Sequence, residues 1–188
     1  DLTARADKSA YTYGETIVVT GSVTPAGEVA NTLALDEPQP GEVALYYGET
    51  QISDAAEVGE DGSFELSCDT TDRAVPVGEG IGLEVRYVGN DSMAGSQAKM
   101  TVTIAKAVLT PTSIAVAGAG RAYDRTTALP EAAAVGVGFT GALEGDAVGL
   151  VATDAAYVSA DAGTKTVGAS SFSPTTDAEG VDWTQWYE

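Results

Sequence analysis

The sequence predicts an all-β protein that is built from two modules. Two observations predict this fold class. Apolar and polar residues alternate in short segments, which is the period of a half-buried strand, and turn-forming Gly, Asp, Asn and Pro residues separate these segments. No amphipathic helix is visible between them. The chain has 188 residues, of which 44% are apolar, and this length suits one large or two small domains.

The first module, residues 1–106, is predicted to be a β-sandwich, a fold that needs about 100 residues. Asp61-Gly62 is a strong hairpin signal, and turns are also predicted at residues 48–49, 78–80 and 89–91. Pro38 and Pro40 exclude residues 36–41 from a central strand. The alternating segments are residues 16–23, 42–47, 63–68, 81–87 and 99–104, with a weaker one at 2–6.

The alternation also predicts the environment of Cys68, the one cysteine of the chain. Cys68 has the same phase as Phe64 and Leu66, and a free cysteine in such a position behaves as a small apolar side chain. We therefore expect a core residue rather than a reactive thiol.

Residues 107–113 are predicted to be a short, semi-rigid linker, because Pro111 fixes its own φ and restricts the residue before it. A second, smaller and mainly β module then covers residues 114–188. Residues 129–134, with Pro130 near their start, are predicted to form one helical turn. The strand candidates are residues 114–117, 135–139, 148–152, 165–168 and 181–187.

Trp183, Trp186 and Tyr187 form an aromatic group near the end of the sequence. If these rings are buried, they are the core of the last strand. If they are exposed, they could stack on the face of a sugar. Because Trp183 and Trp186 have opposite phases in a strand, one of them could be exposed, so both are candidate ligand-binding residues.

The net charge of the chain excludes some partners. The sequence has 28 acidic and 9 basic residues, with a net charge of −19. Such a chain repels nucleic acid and anionic lipid, so neither is expected as a partner. No apolar run approaches the roughly 18–20 residues of a membrane helix, and we expect no membrane insertion of this segment.

The residue types also argue against catalysis. The chain has no His, which removes the Ser-His-Asp and Cys-His arrangements and the usual zinc and haem ligand sets. A pair of carboxylates at the spacing of a glycosidase would arise by chance among so many acids. We therefore predict no enzymatic activity, no catalytic residue and no cofactor.

Two other kinds of site remain as alternatives. The oxygen-rich turns at residues 60–62 and 89–92 could bind Ca²⁺, although neither has the spacing of an EF-hand loop, and ordinary hairpin turns explain them as well. A Lys–Asn isopeptide crosslink would use Lys8, Lys99 or Lys106 with Asn31 or Asn90. Both asparagines fall in predicted loops, whereas such crosslinks usually join residues buried in strands.

The first module resembles a bacterial immunoglobulin-like repeat of long surface proteins. Asp61-Gly62-Ser63-Phe64 matches the family's D-G-x-a turn, and the matches follow the family's order over nearly all of residues 1–106. At Asn90-Asp91 the family usually has a single Asp. The matching segments are residues 11–15, 40–48, 61–64 and 85–96.

The second module resembles the YDG domain of repetitive bacterial surface proteins. The signature reads Tyr123-Asp124-Arg125-Thr126-Thr127, with Arg125 in the place of the signature Gly. Residues 145–150 and 162–167 are similar to the family's G-D-x-V-x-L and A-G-x-K-x-V stretches.

Together the two resemblances imply a non-catalytic, extracellular segment of a bacterial protein that is attached to the cell wall or secreted. In this interpretation the segment is an adhesin stalk or spacer beside neighbouring repeats of the same protein. The alternative is a binding module that recognises a host glycan or matrix protein through a sheet face or a loop end.

Overall fold

A computed structural model of the chain describes residues 1–24, 41–89, 93–118, 120 and 122–188. The chain divides into two compact units, Asp1–Ala105 and Lys106–Glu188. The described residues form β-strands and short 3₁₀ turns, without an α-helix, and this confirms the all-β fold class. The strands are β1 (Leu2–Ala6), β2 (Ala10–Thr12), β3 (Thr16–Val23), β4 (Glu42–Tyr47), β5 (Thr50–Gln51), β6 (Ala56–Glu57), β7 (Ser63–Asp69), β8 (Gly78–Gly89), β9 (Ala94–Ala105), β10 (Thr110–Ala117), β11 (Ala134–Thr140), β12 (Leu150–Thr153), β13 (Ala156–Tyr157), β14 (Val167–Gly168) and β15 (Ser171–Pro174).

The first unit is a sandwich of two sheets. One sheet has the order β1-β3-β7, and the other has the order β2-β9-β8-β4-β5, with β6 also paired to β4. All neighbours are antiparallel except β2 and β9, which are parallel. The β1-β3-β7 and β4-β8-β9 groups correspond to the ABE and CFG sheets of an immunoglobulin-like sandwich.

The core of this unit consists of the side chains that the alternation places inward. Cys68 is only 3% exposed and packs among them, so its assignment to the core is confirmed. Burying one such aliphatic or aromatic side chain contributes about 1.5–3 kcal/mol. The aliphatic and aromatic members include Ile17, Val19, Val43, Leu45, Phe64, Leu66, Ile81, Leu83, Val85, Tyr87, Val102 and Ile104.

The turns of the first unit differ from the prediction at one place. Gly48 and Gly62 have φ of +60° and +82°, in the turns predicted at 48–49 and 61–62. Residues 78–80, however, are not a turn but the start of β8. Gly80 has φ of +63°, and the pairing of β8 with β9 shifts between Gly78 and Ile81, so the glycines form a bulge. The predicted 89–91 turn and 36–41 segment lie largely outside the described residues.

The described residues of the second unit form three two-stranded sheets, β10–β11, β12–β15 and β13–β14. Predicted segments 114–117 and 135–139 fall inside β10 and β11. Segment 148–152 overlaps β12, and in segment 165–168 only the last two residues form a strand, which is β14. Strands β13 and β15 were not predicted, because their short sequences contain too few alternating positions.

Residues 107–113 are not a linker. Ala107 and Leu109 are buried, and their backbone N–H groups donate to the carbonyl oxygens of Trp186 and Glu188 at 2.9 and 2.7 Å. Pro111 lies in β10, next to an irregularity in the pairing with β11. The proline therefore stiffens an edge of the second unit instead of a connection between modules.

Two further expectations for the second unit are wrong. Residues 129–134 form no helical turn, because a single turn closed by the hydrogen bond from Ala133 N to Pro130 O at 2.9 Å leads directly into β11. Residues 181–187 do not form a strand, because Trp183–Gln185 is a 3₁₀ turn. The Asp182 side chain accepts a hydrogen bond from Thr184 N at 3.1 Å at the start of this turn, and that capping bond favours a turn over an extended strand.

Candidate functional site

The candidate site is a groove of about 490 Å³ in the second unit, which we call the signature groove. One wall is the loop that carries the Tyr-Asp-Arg-Thr-Thr signature. The other is the loop between β13 and β14, which contains the Ala-Gly-x-Lys stretch. Its lining residues are Gly120, Ala122, Tyr123, Asp124, Thr126, Tyr157, Ser159, Ala160, Asp161, Ala162, Gly163 and Lys165.

The signature loop owes its shape to Asp124. Its Oδ1 accepts hydrogen bonds from Thr126 N at 2.9 Å and from Thr126 Oγ1 at 3.0 Å, which closes an Asx turn. Arg125, between them, has φ of +65°. The arginine therefore adopts the left-handed conformation that the signature Gly would adopt more easily.

Backbone hydrogen bonds fix this loop to the opposite wall. Tyr157 N donates to Thr127 O at 2.8 Å, and Ala128 pairs with Ala156 in an antiparallel bridge. The two walls are thus joined through the signature's last residue, Thr127. This joining brings Tyr123 and Tyr157 to one groove although they are distant in sequence.

The second wall is held by contacts at its ends. Val158 N donates to Thr166 O at 2.9 Å, and Lys165 Nζ donates to Ser159 Oγ at 2.9 Å. An ammonium has three donors, so Lys165 can also donate toward a molecule in the groove. Sequence reasoning missed Tyr157, Ser159 and Asp161 as members of a site, because two-residue strands give no readable periodicity.

The groove combines an exposed aromatic ring with charged side chains. Tyr123 is 61% exposed, and it is the one aromatic side chain among the strongly exposed apolar residues of the described chain. Asp161 and Lys165 add a carboxylate and an ammonium. The described residues contain no group of three or more His, Cys, Asp or Glu side chains that could hold a metal ion.

Trp183 and Trp186 do not form a ligand platform. Their side chains are only 2% and 9% exposed. Trp183 Nε1 donates to Asp177 Oδ2 at 2.9 Å, and the Trp183 ring meets the Tyr187 ring edge-on, with 5.9 Å between the centroids. In a 3₁₀ turn, residues three apart lie on the same face. Both indoles therefore point inward, and the hypothesis that one is exposed is wrong.

The predicted Gly-Asp stretch at residues 145–150 supports this aromatic core. Tyr187 Oη donates to Asp146 Oδ2 at 2.5 Å and accepts from Leu143 N at 3.0 Å. Val148 and Leu150, from the same stretch, are buried. The stretch thus positions the last aromatic residue of the chain.

In each unit a segment near the start pairs in parallel with the last segment. In the first unit β2 pairs with the end of β9, and Thr103 N and Tyr13 N donate to Ser9 O and Ala105 O at 2.9 and 2.8 Å. We call this the first terminal pair. In the second unit Ala107 forms a parallel bridge with Tyr187. We call residues 107–109 with 186–188 the second terminal pair.

The Ca²⁺ alternative stays untested, and the structure describes the geometry of the first turn only. Asp61 Oδ1 accepts from Ser63 N at 3.0 Å and from Ser63 Oγ at 2.6 Å, and these hydrogen bonds lower the pKa of Asp61. This carboxylate therefore serves the hairpin. The turn at 89–92 lies largely outside the described residues, and Ca²⁺ binding stays a prediction.

The isopeptide alternative also stays untested, because Asn31 and Asn90 lie outside the described residues. Lys8 Nζ is 2.8 Å from Glu15 Oε1, and Lys106 Nζ donates to Thr184 O at 2.5 Å. Lys99 Nζ is 3.7 Å from Glu84 Oε2.

In the described part of the chain, no helix has the length and apolar character needed to span a membrane.

No family model matches the sequence, and no curated protein matches it. Among solved structures, the chain is similar to a crystal structure of murine CEACAM1b. The sequences are 11% identical, the alignment covers 81% of this chain and 73% of that one, and the TM-score is 0.34.

Proposed function

We propose that this chain is a non-catalytic segment of an extracellular bacterial surface protein, and that it serves as a tension-bearing stalk or spacer. One observation carries the mechanical part of the proposal: in each unit, a segment near the start pairs in parallel with the last segment. In the first unit β1 precedes this segment and pairs with β3 instead. The motifs at residues 61–64 and 123–127, which resemble those of surface-protein repeats, support the bacterial, extracellular setting.

Parallel pairing matters because of the direction in which a pulling force acts. When two strands run in parallel, the start of one and the end of the other lie at opposite ends of the pair. A pulling force that reaches these two opposite ends then shears the pair, and all its hydrogen bonds are loaded at once. In an antiparallel terminal pair, the same force would open the bonds one after another.

Buried side chains anchor both terminal pairs. Tyr11 in β2 and Ile104 in β9 are a paired couple and are both buried in the sandwich core. Separating the strands would therefore break hydrogen bonds, worth about 0.5–1.5 kcal/mol each, and expose these apolar side chains together. The second terminal pair is anchored likewise, by Leu109 and Tyr187, which are buried.

Single-molecule force spectroscopy on the full chain tests the proposal. At about 3.4 Å per extended residue, unfolding lengthens the chain by about 35 nm for the first unit and about 28 nm for the second, which identifies the unit in each event. Thr103→Pro removes the donor to Ser9 O and should lower the unfolding force of the first unit.

Val43→Ala is the matched control, since Val43 is fully buried and lies outside the terminal pair. It should lower the free energy of unfolding by about 1–3 kcal/mol with a smaller loss of unfolding force. Circular dichroism confirms that both variants fold. Equal unfolding forces for wild type and Thr103→Pro, or a larger loss in Val43→Ala, would contradict the proposal.

A further inference from the structure

We infer that the signature groove is a binding site for an uncharged oligosaccharide, with Tyr123 as the ring on which a sugar residue stacks. This function goes beyond the proposed stalk, because the groove uses loop residues of the second unit and none of the terminal pairs.

The exposure of Tyr123 is the first step. Apolar side chains are buried when the fold offers a place for them, and the aromatic residues Trp183, Trp186 and Tyr187 of the same unit are buried. Tyr123 instead keeps 61% of its surface exposed while lining a concave surface. An exposed ring in a groove offers a flat apolar face with a polar hydroxyl at its rim.

The polar groups around the ring are the second step. Ligand sites combine apolar surface with a few polar groups in a concavity of about 300–1,000 Å³, and the groove has about 490 Å³. Ser159, Asp161 and Lys165 line it with a hydroxyl, a carboxylate and an ammonium. This mixture of donors and acceptors suits the hydroxyl groups of a sugar, each of which both donates and accepts.

The rigidity of the walls is the third step. The Asx turn of Asp124 fixes the wall that carries Tyr123, and the hydrogen bond from Tyr157 N to Thr127 O joins that wall to the other. A preformed groove loses little conformational freedom when it binds. The left-handed Arg125 lies within this wall, and backbone conformations of this kind cluster at functional sites.

The charge of the chain selects the class of sugar. A net charge of −19 repels sialylated and sulfated glycans at long range. The groove itself presents the carboxylates of Asp124 and Asp161 against one ammonium, from Lys165. An uncharged oligosaccharide avoids this repulsion, and its hydroxyl groups can still bind the charged side chains.

An array tests the inference with the full chain and defined probes. It carries neutral cello-, manno-, chito- and lacto-oligosaccharides of four to six residues, beside sialylated and sulfated glycans and a panel of matrix proteins. We expect binding to at least one neutral series. The strongest neutral probe is then titrated by calorimetry against wild type and variants.

Tyr123→Ala should weaken binding of that probe about tenfold, as expected for loss of ring stacking. Tyr123→Phe, which keeps the ring, should retain most of the affinity, and Lys165→Met should weaken binding without removing it. Val151→Ala is the matched control, since Val151 is 50% exposed in the same unit and outside the groove. It should bind like wild type.

Three results would overturn the inference. They are binding to no neutral probe, binding only to anionic glycans or to a matrix protein, and unchanged affinity in a folded Tyr123→Ala variant. None of these results bears on the unfolding forces of the terminal pairs, so failure of this inference and failure of the stalk proposal can be told apart.

Discussion

The hydroxyl of Tyr187 is the most informative single group to remove from the second unit. Tyr187 is 1% exposed, and its hydroxyl donates to Asp146 Oδ2 at 2.5 Å and accepts from Leu143 N at 3.0 Å. Tyr187→Phe keeps the ring and its edge-on contact with Trp183. The substitution therefore isolates the two hydrogen bonds from the packing of the aromatic core.

The expected loss of stability follows from these bonds. A hydrogen bond to a charged group contributes about 1.5–3 kcal/mol, and a buried donor left without a partner costs about 1–3 kcal/mol. Leu143 and Asp146 are half-buried, so water can partly replace the lost hydroxyl. We expect Tyr187→Phe to lower the free energy of unfolding of the second unit by about 2 kcal/mol, against a total of about 4–12 kcal/mol for its size.

Urea unfolding followed by tryptophan fluorescence measures this change selectively. The chain has two tryptophans, and both lie in the second unit. With a slope of about 1 kcal/mol per M urea, the midpoint should fall by about 2 M. Tyr123→Phe is the control and should change the free energy of unfolding by less than about 0.5 kcal/mol, because that side chain is exposed.

Two results would refute the reasoning. If Tyr187→Phe unfolds within about 0.5 kcal/mol of wild type, the hydroxyl does not stabilise the unit. If Asp146→Ala destabilises wild type and Tyr187→Phe equally, the two residues are not coupled, since a hydrogen-bonded pair should show a coupling free energy of about 0.5–3 kcal/mol.

Four other predictions concern single residues. Arg125→Gly should stabilise the second unit by up to about 1 kcal/mol. The left-handed conformation costs an arginine about 1–2 kcal/mol, and glycine's greater freedom in the unfolded chain offsets about half of this gain. A lower urea midpoint than that of the wild type would contradict this prediction. Thr70→Val should destabilise the first unit by about 2 kcal/mol in calorimetry, because the buried hydroxyl donates to Glu15 O at 2.9 Å and accepts from Gly14 N at 2.8 Å. Burial and the hydrogen bond to Asp7 raise the pKa of Tyr11 from 10.0 to about 12. The stabilising contribution of the neutral tyrosine is therefore complete below about pH 10 and is lost as the pH rises through about 12. Between these pH values the melting temperature of Tyr11→Phe should fall less steeply than that of the wild type. Burial raises the pKa of Cys68 to about 11, so the thiol should react with Ellman's reagent at about pH 8 only after unfolding, and rapid reaction of the native chain would show that the core is open.

The first unit could be predicted well because a sandwich imposes its period on the sequence. Each sheet has one face toward the core, so Ile17 and Val19, two residues apart, must both point inward. The same rule placed Cys68 correctly. The alternation could not predict that β2 pairs with β9. Tyr11 and Ile104 are far apart in sequence, and parallel partners are not joined by a short turn that the sequence would show.

The second unit resisted prediction for a different physical reason. Strands β13 and β14 have two residues each, which is too short for a period to be read. Trp183 and Trp186 were interpreted as strand residues, whose side chains three apart point to opposite faces. In the 3₁₀ turn they share one face, and both are buried. Of the two alternatives for these rings, the structure shows burial in the core, and opposite phases do not expose one ring because the segment is not a strand.

The signature groove could be found only in part, since its two walls come from separate segments. The signature predicted a special loop at Tyr123 and Asp124, but residue types do not reveal that Thr127 would accept a hydrogen bond from Tyr157. Alternation and turn rules describe neighbours along the chain. A groove between loops depends on contacts across the chain, which these rules do not reach.

Arg125 shows how the loop keeps its shape without the signature glycine. A glycine adopts the left-handed conformation easily because it has no Cβ to clash. Asp124 instead stabilises this conformation at residue 125, because its Oδ1 accepts hydrogen bonds from Thr126 N and Oγ1 that close the turn. The hydrogen bonds of Asp124 do not involve the side chain at position 125, so the turn can close with an arginine there. The sequence thus retains a strained residue in the wall that holds Tyr123. Because the hydrogen bonds of Asp124 close the turn with either residue, Arg125→Gly should keep the shape of the loop while removing the steric cost of the left-handed arginine.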